Sequence, residues 1–110
     1  ADVNATDADG WTPLHHAATG NHTDTAILLI DEYQADVNRV ENTGATSLHV
    51  SCLNNSVDVT RVLVSNGADL FARTNNSMTP LHVAARADSI DAARLALEQQ
   101  CSALKKAFQL

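Results

Sequence analysis

Apolar and polar positions in this chain alternate in blocks of two kinds. Short apolar phrases, TPLHHAAT (residues 12–19), TSLHVSCL (46–53) and TPLHVAAR (79–86), each follow a polar cluster. Those clusters, DADGWTP (7–13), ENTGAT (41–46) and TNNSMTP (74–80), are rich in Asp, Asn, Ser and Gly and predict turns. Thr12, Thr46 and Thr79 then stand where helix N-caps belong, with Pro13 and Pro80 at the first helical position, where a missing N–H costs nothing. The pattern predicts a short helix over about 13–19 and its two counterparts. A break follows at GNH (20–22), NNS (54–56) and ADS (87–89), where Asn21, Asn55 and Asp88 are types that tolerate a left-handed backbone. Longer apolar runs come next: Ala26, Ile27, Leu29 and Ile30, then Val59, Val62 and Leu63, at the spacing of one helix face. The second run stops before GAD (67–69), glycine being the usual helix terminator.

The third run is different. From Ile90 onward, Ala93, Leu97, Cys101, Leu104 and Phe108 recur at intervals of three and four, which predicts one long helix. Lys105 and Lys106 near its end suit a helix C-terminus. We expect this helix to cap the domain, with Leu97 and Leu104 buried.

The phrases repeat with a fixed period. Leu14, Leu48 and Leu81 are 34 and 33 residues apart; ADVN occurs at 1–4 and 35–38, and GADLFA (67–72) holds the same phase. A turn and a helix pair cannot bury an apolar face alone, whereas stacked neighbours can. The expectation is an all-α solenoid of about three stacked helix-turn-helix repeats joined by short hairpin loops.

These phrases resemble the ankyrin repeat, whose pattern runs Gly-x-Thr-Pro-Leu-His-x-Ala-Ala, Gly-His, an apolar helix, then Gly-Ala-Asp-Val-Asn. The resemblance covers essentially the whole chain: the tail of a preceding repeat at 1–5, repeats at 6–39 and 40–72, and a terminal repeat with an extended capping helix at 73–110. It implies a non-catalytic module that binds another protein. It also implies that His15, His49 and His82 are scaffold, bonding loop backbone between repeats. Asn38, in ADVN, resembles the asparagine that oxygen-dependent asparaginyl hydroxylases modify in this family. The alternative reading is an architectural or autoregulatory segment of a larger protein, with intramolecular contacts only.

The chain departs from the pattern in places. IDEYQADVN (30–38) carries one extra residue, with Tyr33 where the terminating glycine is expected, so a bulge or a lengthened second helix is predicted. Ser47 replaces Pro, and Ser51-Cys52 replaces Ala-Ala. The chain opens directly on ADVN, which would leave Leu14, Ala17 and Ile27 on an unpaired packing face and favour weak self-association through that end.

Composition narrows the function. The 110 residues carry a formal net charge of −6, and no Lys or Arg precedes Arg39, while seven acids do. That argues against nucleic acid or an acidic membrane surface as partner, since either needs a basic patch. An acidic first repeat would instead favour a partner with a basic patch. No apolar run approaches the ~20 residues of a membrane span. Cys52 and Cys101 make no disulfide framework or zinc spacing, and buried free thiols in a reducing compartment, cytoplasmic or nuclear, are expected. The five histidines lack zinc spacing, and no nucleophile elbow or phosphate loop is present, so no enzyme, metal or cofactor is expected.

The remaining surface is the loop tips and the outer side of the first helices. By repeat phase the candidate partner-binding residues are Asp9, Trp11, Asn42, Leu53, Arg73, Met78 and Arg86. Trp11 is the only tryptophan, expected at a tip, either exposed there as an apolar anchor or folded over its own turn as packing; Trp and Arg are enriched where binding energy concentrates, and Met adapts to irregular partners.

Overall fold

The computed structural model describes residues 2–108, the last of them by its backbone only. Six helices follow in order: α1 (Pro13–Thr19), α2 (Thr23–Asp31), α3 (Ser47–Leu53), α4 (Val57–Ser65), α5 (Pro80–Arg86) and α6 (Ile90–Phe108). Among the described residues there is no strand. The short helices α1, α3 and α5 stack in one row and the longer α2, α4 and α6 in a second, each pair packing on the next. The stack is elongated, 42 × 28 × 21 Å.

Each short helix starts by the same reciprocal cap. Thr12 Oγ1 accepts the His15 amide, and His15 Nδ1 accepts the Thr12 amide at 3.1 Å. Thr46 with His49 and Thr79 with His82 repeat the arrangement. Such a cap contributes about 1 kcal/mol of helix stability. Asn21, Asn55 and Asp88 take φ of 53°, 53° and 58°, as their residue types predict. The reversal lets the amides of His22, Ser56 and Ser89 reach back to the carbonyls of Ala17, Ser51 and Ala84 at 2.8–2.9 Å, closing the first helix as the second begins.

The extra residue of the first repeat falls at the end of α2, and the expected role of Tyr33 is corrected. Gln34, at φ 55°, takes the place that Gly67, at φ 88°, holds after α4. Ala35 and Ala68 must both be buried, and their amides bond the carbonyls of Leu29 and Leu63 at 2.9 and 3.0 Å. The left-handed residue is therefore the one just before each alanine. Helices α2 and α4 are equally long, nine residues each, and the additional residue is taken up in the turn that follows α2, where the Gln34 amide reaches Ile30 O at 3.1 Å.

The core runs along the seam between the rows, through Leu14, Ala18, Leu48, Cys52, Val59, Leu63 and Ala84. Repeat two differs inside. Where repeats one and three place Ala17 and Ala84 against Ala26 and Ala93, it places Ser51 against Thr60, joined by a 2.8 Å bond. The single Thr60 hydroxyl proton is shared between Ser51 Oγ and Ser56 O, each at 2.8 Å, and Ser51 donates to Leu48 O, so each buried hydroxyl has a partner.

The ends correct three expectations. Leu97 and Leu104 are not buried: each is 52% exposed, with Ile90 at 59%. The face of α6 that packs inward is Ala92, Leu95 and Ala96. Ile90 and Leu97 correspond in register to the half-buried Val57 and Val64 of α4 and stay exposed on α6, while Ala93 between them packs half-buried on the core. The side chain of Phe108 lies outside the described residues, as does Ala1 of the opening ADVN. At the other end Leu14 and Ala17 are buried by their own helix pair and by repeat two, while Ile27 and Leu28 stay about two-fifths exposed. Of the thiols, Cys52 is buried and Cys101 is exposed. Burial pushes the Cys52 thiol up to about 12.

Candidate functional site

The loop tips are built before they can bind anything. Each is a closed turn: the amides of Asp7, Glu41 and Thr74 reach the carbonyls of Trp11, Ala45 and Met78 at 2.9–3.0 Å. Consecutive tips are tied together. The Asn42 amide donates to Asp9 O and its Nδ2 to Ala8 O, and Asn75 repeats this toward Thr43 and Asn42. Gly44, at φ 84°, allows that approach, since a Cβ there would lie 2.9 Å from the Asn75 amide nitrogen.

Histidines fasten the tips to the helices. His15 Nε2 donates to Ala45 O at 3.0 Å and His49 Nε2 to Met78 O at 2.8 Å, while both Nδ1 atoms accept threonine amides. That pairing assigns the neutral tautomer with the proton on Nε2. Burial holds both rings below the usual imidazole value, against the raising effect of the carbonyl each contacts. His82 keeps its cap but, among the described residues, its Nε2 meets no acceptor.

Two carboxylates stiffen the first two tips. Asp7 Oδ1 accepts the Trp11 and Asp9 amides, and its Oδ2 pairs with His16 Nε2 at 3.0 Å. The Trp11 amide bond above all, then His16, holds the Asp7 carboxyl below the ordinary value. Burial raises Glu41, but bonds from the Thr43 hydroxyl and the Ala45 and Thr43 amides outweigh it and leave it low.

Between the tips and the first helices runs a groove of about 560 Å³. It brings together four of the seven candidate residues: Trp11, Leu53, Met78 and Arg86. Leu53 is 54% exposed on its wall, and Arg86 is an exposed cation with no salt-bridge partner among the described residues. Trp11 is half-buried, between the two readings of it, exposed anchor and packing over its own turn. Its ring packs 5.6 Å from His15 and 5.0 Å from His16, over its own helix, while still lining the groove.

The other three candidates lie outside the groove. Asp9 and Asn42 are exposed and engaged in tying tip to tip, and Arg73 is exposed at the third tip. Asn38 is exposed, yet both ends of its amide are in use: Oδ1 accepts the Asp69 amide at 2.8 Å and Nδ2 donates to Gly67 O at 3.2 Å. Val50, Val83 and Glu41 also line the groove and were not among the candidates. The two valines occupy the letter after the phrase histidine, which varies between repeats, and that variation was the available signal.

Among the described residues no group of three or more His, Cys, Asp or Glu could hold a metal ion, and no helix is long and apolar enough to cross a membrane. The walls of the groove are mainly apolar side chains and loop backbone.

Comparison with known proteins agrees with the architecture. The family described as ankyrin repeats (3 copies) matches residues 1–74, and ankyrin repeats (many copies) matches residues 52–97. The probable 26S proteasome regulatory subunit p28 of Saccharomyces cerevisiae is 49% identical over 43 residues, covering 39% of this chain and 19% of that protein. A putative ankyrin repeat protein of fowlpox virus is 39% identical over 70 residues, 60% of this chain and 20% of the viral protein. A tyrosine-protein kinase of Hydra vulgaris is 33% identical over 75 residues, 67% of this chain and 10% of the kinase. The chain thus spans a fifth or less of the length of these relatives. With capped helix pairs, tied tips and a family match over more than half its length, the chain belongs to the ankyrin-repeat family, whose general role is protein interaction.

Proposed function

We propose that the groove is the partner-binding site, and that it takes an apolar segment of another protein. One observation carries the reading: Trp11, Leu53, Met78 and Arg86, from three different repeats, converge on a single groove. An exposed leucine on the groove wall serves no packing purpose within the stack. Trp11 and Met78 supply apolar contact, and the half-buried indole is already ordered against His15 and His16, which lowers the entropy lost on binding. Charge sets orientation. Asp7 and Asp9 lie at the Trp11 end and Arg86 at the other, so the favoured segment is basic near Trp11 and acidic near Arg86. The relatives include a proteasome regulatory subunit and a kinase, which suits an interaction module carried by unlike proteins. An intracellular setting, cytoplasmic or nuclear, accords with the two free thiols.

A displayed peptide library panned on the wild-type chain tests this. Recovered peptides should share an apolar anchor with basic residues on one side of it and acidic residues on the other. They should lose about tenfold or more in affinity for Leu53→Asp and for Arg86→Glu, both exposed and both expected to leave the fold intact. Peptides indifferent to both substitutions would move the site elsewhere. The second reading, an architectural segment within a larger protein, is favoured by the small fraction of each relative that the chain spans.

A further inference from the structure

The three loop tips open with different side chains at one register position: Asp7, Glu41 and Thr74. Each holds its own tip. Asp7 Oδ1 accepts the Trp11 amide, Glu41 Oε1 the Ala45 amide at 3.0 Å and Thr74 Oγ1 the Met78 amide at 3.2 Å. What remains after that bond differs. The second oxygen of Asp7 pairs with His16, and Thr74 carries no charge. Glu41 gathers the Thr43 amide and hydroxyl on the same Oε1. Its Oε2 has no hydrogen-bond or salt-bridge partner among the described residues, and it is not buried. Glu41 lines the groove on the middle tip, whereas Asp7 and Asp9 do not line it.

No described cation neutralises that oxygen. His15 and His49 are the nearby rings, and both are neutral, with Nδ1 accepting an amide and Nε2 donating to a carbonyl. Arg86 lines the same groove, yet no salt bridge joins it to Glu41. Burial raises Glu41, but the bonds from Thr43 and Ala45 outweigh it, so the carboxylate stays ionised at neutral pH. The groove therefore holds one fixed anion and one cation that do not pair with each other.

We propose that Glu41 selects the occupant of the groove: its Oε2 accepts the ammonium or guanidinium of a Lys or Arg side chain that neighbours the apolar residue of an extended segment of the partner protein. This rests on the groove being the binding site. Asp7 and Asp9, outside the groove, act on the approach of such a segment, while Glu41 makes the contact. The bonds on Oε1 already fix the carboxylate, so little side-chain entropy is lost when the cation arrives. Half-burial removes part of the water that screens an exposed pair. A segment with Asp or Glu at that position is repelled, which makes Glu41 a determinant of specificity as well as of affinity.

Displayed short random peptides, panned on wild type, Leu53→Asp, Glu41→Gln and Glu98→Gln, test this. Glu41→Gln keeps Oε1 as an acceptor for the tip and removes the charge, so its circular dichroism melt should stay close to wild type. Glu98→Gln removes the same charge from an exposed position of α6 outside the groove. Peptides recovered on wild type should carry Lys or Arg at a fixed distance from the apolar anchor. On Glu41→Gln that position should become random while the anchor persists, and on Glu98→Gln it should stay basic. In a recovered peptide, norleucine in place of that Lys or Arg should weaken binding to wild type about fivefold or more, and binding to Glu41→Gln hardly at all. The norleucine peptide titrated on wild type needs no change in the protein, and equal affinity of the two peptides overturns the proposal by itself. So does a basic preference that survives Glu41→Gln, or one that Glu98→Gln abolishes as fully. If those same peptides are lost on Leu53→Asp, the groove remains the binding site and only the role of Glu41 falls. Peptides indifferent to Leu53→Asp overturn both readings.

Discussion

His49 Nε2 donates to the carbonyl oxygen of Met78 across 2.8 Å, although 29 residues separate the two in the chain. The same ring accepts the Thr46 amide at the start of its own helix. One side chain therefore caps a helix, fixes the next loop tip and forms part of the groove lining. His82 has the cap without the second bond and is exposed.

That difference sets the first prediction. His49→Ala should lower unfolding free energy by about 2–3 kcal/mol, because the Thr46 amide and the Met78 carbonyl each lose a bond and the missing ring leaves a cavity. His82→Ala should cost about 1 kcal/mol or less, the value of a cap alone. Urea melts of the two variants decide it, and equal losses would mean that the inter-repeat bond contributes nothing.

The second prediction is a pH dependence. His15 and His49 are both held neutral in the fold, chiefly by burial, so their folded values lie below the ordinary 6.5. The unfolded chain takes up these protons first. Stability from this source is complete above 6.5 and falls as pH drops below it. Glu41 and Asp7, held below 4.5 and 3.8, extend the loss to lower pH as they are protonated. Urea midpoints at about pH 7.5 and about pH 5 should differ, with the lower pH less stable. His49→Gln should flatten the upper part of the curve relative to wild type. A midpoint constant across that interval contradicts the burial argument.

A third prediction concerns α6. Residues 101–107 are exposed, and the inward face ends at Ala96. Truncation after Glu98 should therefore lower stability by less than about 1 kcal/mol. Leu95→Ala, at a position 5% exposed, should cost about 2–4 kcal/mol by leaving a cavity. Thermal melts of the truncated chain and the substituted one separate the two segments. A large loss on truncation would mean that the extension packs on the stack.

What the sequence settled by itself was local and repeated. Thr12, Thr46 and Thr79 could be read as caps because a cap needs only one side chain and the three residues after it. Asn21, Asn55 and Asp88 could be read as left-handed because few residue types tolerate that backbone. The period followed from the recurrence of these signals, and the stack followed from a helix pair that cannot bury its own face. The tertiary structure decided which side of each element is covered. An apolar stripe at helical spacing says that a helix has a preferred face, but Leu97 and Leu104 follow that spacing on α6 while the face that packs inward is set by α4 and α5. Gln34 instead of Tyr33 became the left-handed residue because Ala35 had to reach the core. Trp11 was legible as a placement at a tip, yet its half-burial over His15 and His16 depends on side-chain directions that spacing does not contain. The groove belongs to that second class. Its walls come from three repeats, and their convergence is a property of stacking distances between residues far apart in the chain.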